Sequence, residues 1–482
     1  MSAGSTPVPM HVGGQLFTPE RDTRTYESPS TGVDATTILL GDASDVDRAV
    51  AAARVAQPIV EAMGLDARAE LLDQTCEAIM ARQEEFAQML AVEHGKPVSE
   101  ARGEVAASAG AMAAAGAQAR WMTESHYPLS TPGKRLLTHR RPRGVYGILT
   151  PWNFPLGIGC QYYFGPGLAA GNTIVWVGAP SVTGVHALLV ETIAPLWPAG
   201  AINLVTGDGS VVGQALASHS GVDAVGFTGS TQVGKKVHAA AAGKPAFLEL
   251  GGNGPTIVLP DADIERAAAA IAGGTFTNAG QICTATGRIL AHESVAAQLS
   301  EAIAAQSEKF KIGDPREEAT SMGPVHQTSL VERILSQLDQ AVSDGAKIVT
   351  GGTRANDLPT PNYLLPTVVD NVGQDSDLHR IETFGPVAPV VHYSTDEELF
   401  ELLDKSTFGL HGAVFSRDVE RAIGLAEKLR VGHVNINDTS AYWETSIPAG
   451  GAAGRASGVG RAGGPWSVLE MTEVQTIAIE SK

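Results

Sequence analysis

From Gly144 to Leu250, short apolar runs closed by glycine-bearing turns alternate with stretches of helical periodicity. The runs are Gly144-Val-Tyr-Gly-Ile-Leu149, Asn172-Thr-Ile-Val-Trp-Val177, Ala201-Ile-Asn-Leu-Val205 and Ala224-Val-Gly-Phe227. Helices are predicted over Thr183–Leu196, from Gly207-Asp-Gly-Ser-Val-Val-Gly213 onward, and from Thr228-Gly-Ser-Thr-Gln-Val-Gly-Lys235 onward. A strand that is apolar on both faces must be covered on both, and parallel neighbours need a crossover helix. The pattern predicts an α/β fold with a Rossmann-type, doubly wound parallel sheet and a ligand crevice at the strand carboxyl ends. A second α/β series is expected from about Gly251 to Asp438, and a final strand over Met471–Glu480.

A chain of 482 residues is long enough for two or three domains and a large core. Its formal charge of −18 argues against nucleic acid or an anionic membrane surface as a partner. Cys76, Cys160 and Cys283 have no paired spacing, so neither a disulfide framework nor a zinc site is expected, and a reducing cytoplasm fits. The first residues, Met1 to Pro7, lack a basic start and an apolar run, so no export leader is expected. Helices are predicted over Val46–Ala62 behind Asp42-Ala-Ser44, over Asp66–Leu90 with Cys76 on the apolar face, and over Ser99–Thr123. Val105 to Trp121, almost all Ala, Gly and Ser, reads as a packed helix rather than a membrane span.

Cys283 lies in Asn278-Ala-Gly-Gln-Ile-Cys-Thr-Ala-Thr-Gly-Arg288, and Glu249 in Leu248-Glu-Leu-Gly-Gly-Asn253. Taken alone, an isolated cysteine is most often a packed core residue. A thiol and a carboxylate, each beside glycines that permit close approach, are instead a layout for covalent catalysis. Leu149-Thr-Pro-Trp-Asn-Phe-Pro-Leu156 holds Asn153 between two prolines, where its amide can donate to a developing oxyanion or merely cap its own turn. Thr228–Gly234 opens a helix whose N-terminus favours a pyrophosphate, although a plain strand-to-helix turn looks the same. Glu382-Thr-Phe-Gly-Pro-Val387 sets a carboxylate for ribose hydroxyls beside Phe384, or else a solvated Glu beside a core Phe. His411 and His433 have no second ligand at metal spacing and read as structural; no metal site is expected.

Taken in order, Thr150–Leu156, Phe227–Gly234, Leu248–Asn253, Gly280–Arg288, Glu382–Val387 and Asn435–Asp438 make the chain resemble the NAD(P)-dependent aldehyde dehydrogenases, of the hydrolytic type, over essentially its whole length. The resemblance implies Cys283 as nucleophile, Glu249 as general base and Asn153 as oxyanion donor. It implies cofactor contacts at Thr150, Pro151, Trp152, Gly229, Ser230, Thr231, Val233, Gly234, Leu250, Glu382 and Phe384. It also implies a cofactor domain (1–123 and 142–250), a catalytic domain (251–438), an oligomerisation arm (124–141 and 465–482) and a substrate-side loop (439–464), in a homodimer or homotetramer acting on a small aldehyde.

The chain departs from the family pattern in three places. A Lys-Pro pair is replaced by Val177-Gly-Ala-Pro-Ser181, and a carboxylate that many NAD-preferring members place near position 180 is Pro180, so NAD and NADP are both open, with NAD the commoner case. Pro448-Ala-Gly-Gly451 carries Ala449 where the family has an aromatic near the substrate entrance, and the following Ala452–Gly458 is longer than usual. Gly157–Gly165 reads as one residue longer, with Tyr162 and Tyr163 equally placed for tunnel or core and Cys160 for packing; Trp443 and Glu444 are both candidates to touch substrate. With no Arg or Lys cluster in these segments, an uncharged aliphatic or aromatic aldehyde is expected. The competing readings are a CoA-acylating relative, against which Glu249 speaks, a cofactor-free thiol hydrolase, against which the nucleotide turns speak, and a silent binding protein.

Overall fold

The computed structural model describes residues 6–122, 125–127 and 129–480; Met1–Ser5, part of the stretch read for an export leader, and residues 123–124, 128 and 481–482, at the margins of the expected arm, lie outside the described residues. The first sheet has eight strands in the order Gly458–Val459, Ala246–Glu249, Ala224–Thr228, Val145–Thr150, Thr173–Gly178, Ile202–Leu204, Met10–Val12 and Gln15–Phe17. Its five central strands are parallel, and the edges are antiparallel. Every residue of Val145–Thr150 is buried, as its apolar sequence demands. Apolar side chains such as Val145 and Ile148 each contribute about 1.5–3 kcal/mol by leaving water.

The second sheet has seven strands, running from Lys347–Thr350 through Thr367–Asp370, Val387–Tyr393, Arg288–His292, Pro255–Val258 and His411–Phe415 to His433–Ile436. It is parallel except at its first pair. A third sheet joins the last strand, Thr472–Glu480, to Lys134–Pro142 and Ser125–Tyr127. Among the described residues no helix is long and apolar enough to cross a membrane.

The expected start at Asp42 is a capping box: its side chain accepts from Ser44 N at 2.8 Å, while Asp45 accepts from Asp42 N at 3.0 Å. The single helix expected over Asp66–Leu90 is instead two, Leu65–Ala81 and Gln83–Glu93. The break falls at Arg82, whose guanidinium reaches Glu85 at 2.8 Å and Thr192 at 2.9 Å, and the second helix turns Phe86 and Leu90 into the core. The segment that reads as one residue long winds as a π-helix over Gly159–Phe164, the i→i+5 geometry that takes up an extra residue within a helix. That winding separates the two tyrosines. Tyr163 packs inward, its hydroxyl 2.7 Å from that of Thr228, while Tyr162 faces a cavity.

Candidate active site

Three adjacent parallel strands deliver one wall of the site. Val145–Thr150 runs into Pro151, Trp152 and Asn153; Ala224–Thr228 runs into Gly229 and Ser230; Ala246–Glu249 ends on Glu249 itself. The facing wall comes from loops of the second sheet, with Cys283 ahead of Arg288–His292 and Glu382 and Phe384 ahead of Val387–Tyr393. Two cavities lie between these walls. One of about 370 Å³ is bounded by Pro151, Trp152, Gly229, Ser230, Glu382 and Phe384. The other, of about 390 Å³, is bounded by Phe154, Gln161, Tyr162, His411 and Trp443. Cys283 and Ile158 line both, so the thiol stands where the two spaces meet.

Backbone geometry brings the reactive groups together. A Cβ on Gly252 would lie 2.1 Å from the Cys283 carbonyl oxygen, and one on Gly251 would lie 2.5 Å from Glu382, so only glycine permits this approach. Asn278, Ala279 and Gly280 are left-handed in succession, with φ of 53°, 52° and 73°, which turns the chain sharply before Cys283. Phe384 is left-handed too, at φ 55°, with its ring edge-on to Trp152 at 5.6 Å. Asn153 donates one amide N–H to Gln281 O at 2.9 Å; the second has no partner among the described residues.

Burial sets the protonation of the site. Glu249 is buried, and neither carboxylate oxygen has a hydrogen-bond partner among the described residues. Desolvation raises its pKa to about 7, opposed in part by the adjacent Cys283 thiol. Burial first, then the Glu249 charge, pushes the Cys283 thiol well above its ordinary value. Glu382 accepts from Gly252 N at 3.0 Å and is raised by burial to about 8.

The remaining candidates fall elsewhere. Thr150 accepts from Trp176 Nε1 at 2.9 Å, away from the cavity wall. Thr231 donates to Ala456 O at 3.0 Å in the first turn of the helix Thr231–Ala240, which Ser230 caps by accepting from Val233 N at 3.4 Å. Val233 is exposed on that helix, and Gly234 is packed under Leu250. Cys160 is buried in the core, and His411 Nδ1 donates to Ser440 O at 3.1 Å. Of the two loop candidates only Trp443 reaches the second cavity; Glu444 is exposed and accepts from the Tyr442 hydroxyl at 2.6 Å. Ala449 lines neither cavity, because its backbone pairs with Ala462, which draws it to the side of the Gly458–Val459 edge strand. Among the described residues no group of three metal-ligating side chains occurs.

Several contributors carried no signal as motifs. Lys96, Glu100 and Glu104, four apart, reach under both reactive loops. The Lys96 ammonium is ion-paired with Glu104, donates to Asn153 O at 3.2 Å and sits 3.8 Å over the Phe154 ring. Glu104 accepts from Leu156 N and Gly157 N, each at 3.0 Å, and Glu100 accepts from Asn278 N at 3.0 Å. His326 stacks on Trp152 at 4.4 Å and is kept neutral by burial, with a pKa of about 4. Arg333, also on the first cavity, donates to Thr383 O at 2.9 Å.

The first cavity suits a dinucleotide. It falls at the carboxyl ends of a doubly wound sheet, opens onto a capped helix N-terminus, and presents a carboxylate and two aromatic rings. A thiol and a carboxylate, Cys283 and Glu249, line the same cavity. The chain belongs to the aldehyde dehydrogenase family, whose model matches residues 17–477. It is 35% identical to a 3-sulfolactaldehyde dehydrogenase of Priestia aryabhattai, over 92% of each chain. It is 34% identical to a benzaldehyde dehydrogenase [NAD(+)] of Pseudomonas putida, over 92% of this chain and 90% of that one. The crystal structure of an NADP-dependent enzyme of E. coli superposes with a TM-score of 0.95 at 29% identity, over 98% of both chains. The protein is thus an NAD(P)-dependent aldehyde oxidoreductase with the fold of that family.

Proposed function

We propose that the protein oxidises an uncharged aldehyde to its carboxylic acid through a thioester on Cys283, with Glu249 activating the hydrolytic water. The observation that carries this is the meeting of two cavities at one thiol with an unpartnered carboxylate beside it. In this reading the turn Gly229–Gly234, with Thr231 and Val233, holds the pyrophosphate end of the cofactor. Glu382 takes ribose hydroxyls, while Pro151, Trp152 and Phe384 shape the nicotinamide end, backed by Thr150 and Leu250. A bound nicotinamide cofactor supplies the hydride acceptor. NAD is the favoured choice, as the commoner cofactor of the family.

The Cys283 thiol, held protonated at rest by burial, releases its proton to water, and the resulting thiolate attacks the aldehyde carbon. The resulting oxyanion takes the free N–H of Asn153 and a backbone N–H near Cys283, a kind of donor whose loss costs about 10²–10³ in rate. Once the hydride has left that carbon, a thioester remains. Glu249 then accepts a proton from water, whose oxygen attacks the thioester carbon, and the acid departs as the thiol is restored. A base with a pKa of about 7 is well matched to this task near neutral pH.

Support for a neutral substrate comes from the second cavity. Lys96, the only lysine or arginine on its described wall, is already paired with Glu104, and Phe154, Tyr162 and Trp443 offer ring faces for apolar substrate groups. In the same reading the chain divides into cofactor binding in 1–123 and 142–250, catalysis in 251–438 and a substrate-side loop in 439–464. The three-stranded sheet then serves as the oligomerisation arm, since Val474, Ile477 and Ile479 stand exposed on its edge strand Thr472–Glu480 and suit burial in a dimer or tetramer. The test is NADH and NADPH production from a panel of aldehydes, beside Cys283→Ala, with acid measured in the absence of coenzyme A. Reduction of neither cofactor refutes the reading; activity that survives in Cys283→Ala refutes the covalent step; turnover only with coenzyme A, yielding acyl-CoA instead of acid, refutes the hydrolytic role of Glu249.

A further inference from the structure

At the amino ends of the strands Pro255–Val258 and Arg288–His292 lies a cavity of about 170 Å³ walled by Arg288, Lys428, Arg430, Arg455, Phe400 and Phe408. Four cations meet one carboxylate there, in a chain whose formal charge is −18. The one carboxylate, Asp404, is 78% exposed and pairs with Arg455 at 3.2 Å. Lys428 and Arg430 form no ion pair among the described residues; Arg430 donates to Ala453 O at 3.0 Å, and the Lys428 ammonium lies 5.8 Å from the centre of the Phe400 ring. Arg288 is buried, with each of its three guanidinium nitrogens donating to a carbonyl, of Asn253, Leu402 and Leu403, at 3.1–3.2 Å. The Arg455 Nε is also buried and has no partner among the described residues. Burial first, then repulsion from Arg455, lowers the pKa of Arg288 to about 9. A concave site with surplus positive charge and an unspent N–H donor is a place for an anion to bind.

The site depends on the loop Ala452–Gly458, which brings Arg455 into the wall. Gly409 makes room for it, since a Cβ there would lie 2.7 Å from the Arg455 side chain. The same loop is tied to the cofactor cavity. Ala456 O accepts from Thr231, Ser457 O accepts from Leu250 N at 3.1 Å, and the Ser457 hydroxyl donates to Gly251 O at 2.7 Å.

We propose that this pocket is a binding site for a phosphate group, separate from the active site, and that its occupancy is felt at the cofactor cavity through residues 455–457. Two guanidinium groups and an ammonium converging on one small space match a dianionic oxyanion better than a single carboxylate. The test is calorimetric titration of the full-length protein with inorganic phosphate at constant ionic strength, set against a Lys428→Gln/Arg430→Gln variant. Both substituted residues are exposed and stand outside the catalytic machinery, and circular dichroism checks that the variant is folded. The expected result is a saturable phosphate site whose Kd weakens at least tenfold in the variant. In thermal unfolding, phosphate at ten times Kd multiplies the folded-to-unfolded ratio of the parent about elevenfold. Identical isotherms for parent and variant overturn the site, because any phosphate bound in the cofactor cavity is common to both. A cofactor KM that phosphate shifts in the parent but not in the variant supports the coupling; equal shifts, or none, overturn it. Since binding is read without turnover, failure of the aldehyde reaction would leave this result standing.

Discussion

Replacing Glu249 by glutamine should stabilise the protein at alkaline pH while stopping turnover. Burial lifts the pKa of this carboxyl from 4.5 to about 7, so ionising it in the folded chain costs about 3 kcal/mol more than in the unfolded chain, at ~1.4 kcal/mol per pH unit. The sign follows from proton binding. Below pH 4.5 both states hold the proton and the carboxyl costs nothing. Between 4.5 and about 7 the unfolded chain releases it while the folded chain keeps it, so the parent loses stability as pH rises. Above about 7 the penalty is complete. Glutamine keeps the shape without the charge, so the Tm of Glu249→Gln minus that of the parent should grow from pH 5 to pH 8 and then level. The groups that could blur the effect are Cys283, which shares the carboxylate's space, and Glu382, raised to about 8. Differential scanning calorimetry of both proteins across this range measures it. A Tm difference that is flat with pH, or a parent that is the more stable at pH 8, would refute the claim that desolvation dominates at Glu249. In the same variant, cofactor reduction should stop after about one equivalent per active site, as the thioester accumulates.

Asn153→Ala should lower kcat by about 10²–10³ through loss of one oxyanion donor, with the rate of Cys283 alkylation by iodoacetamide changed far less. Tyr163→Phe should lose about 0.5–1.5 kcal/mol of stability, the worth of its bond to Thr228, with aldehyde preference unaltered in kcat/KM. Tyr162→Ala should do the reverse, shifting kcat/KM among aldehydes by about 10–200-fold as the cavity wall changes by one ring. Glu444→Gln should leave kcat/KM for every aldehyde within error, since its side chain is exposed; a change of tenfold would return it to the substrate path.

The parts legible in the sequence are those in which one local segment carries both the signal and the structure. Apolar runs with glycine turns mark the parallel strands, and the residues at their carboxyl ends, Asn153, Ser230 and Glu249, come together because adjacent strands must end on the same side. The Gly-Gly pair after Glu249 marks the close approach to Cys283 and Glu382. Helical periodicity misplaces what depends on a change of winding. It runs through Arg82, where the backbone leaves the helical region at φ −112° and ψ 19°, and it cannot choose between Tyr162 and Tyr163, because a π-turn alters the phase at which side chains face a cavity. Ala449 and Glu444 mislead for another reason. Each lies near the right residues in sequence, but a backbone pairing with Ala462 and a bond from Tyr442 point them elsewhere.

Glu100 and Glu104 could not be found this way, because carboxylates four apart on a helix read as a solvated face, and Lys96 lies in the loop ahead of that helix. The structure turns that face inward. The left-handed conformations of Asn278, Ala279 and Phe384 each cost about 1–3 kcal/mol and persist only where surrounding contacts fix them. Glu100 accepts from Asn278 N; the Asn278 amide donates to Asn153 O and Gln281 O, each at 3.2 Å; Gln281 accepts from His326 N at 2.8 Å. Lys96 and Glu104 close the same loop from below. The thiol and the amide that would meet at one carbonyl are therefore held by a single buried network of groups that do not react. Its cost lies in dehydrated charge. A buried ion pair contributes little net stability by itself, yet removing one partner leaves the other unpaired, which costs about 3–5 kcal/mol. The network is better understood as fixing the geometry between Asn153 and Cys283 than as strengthening the fold.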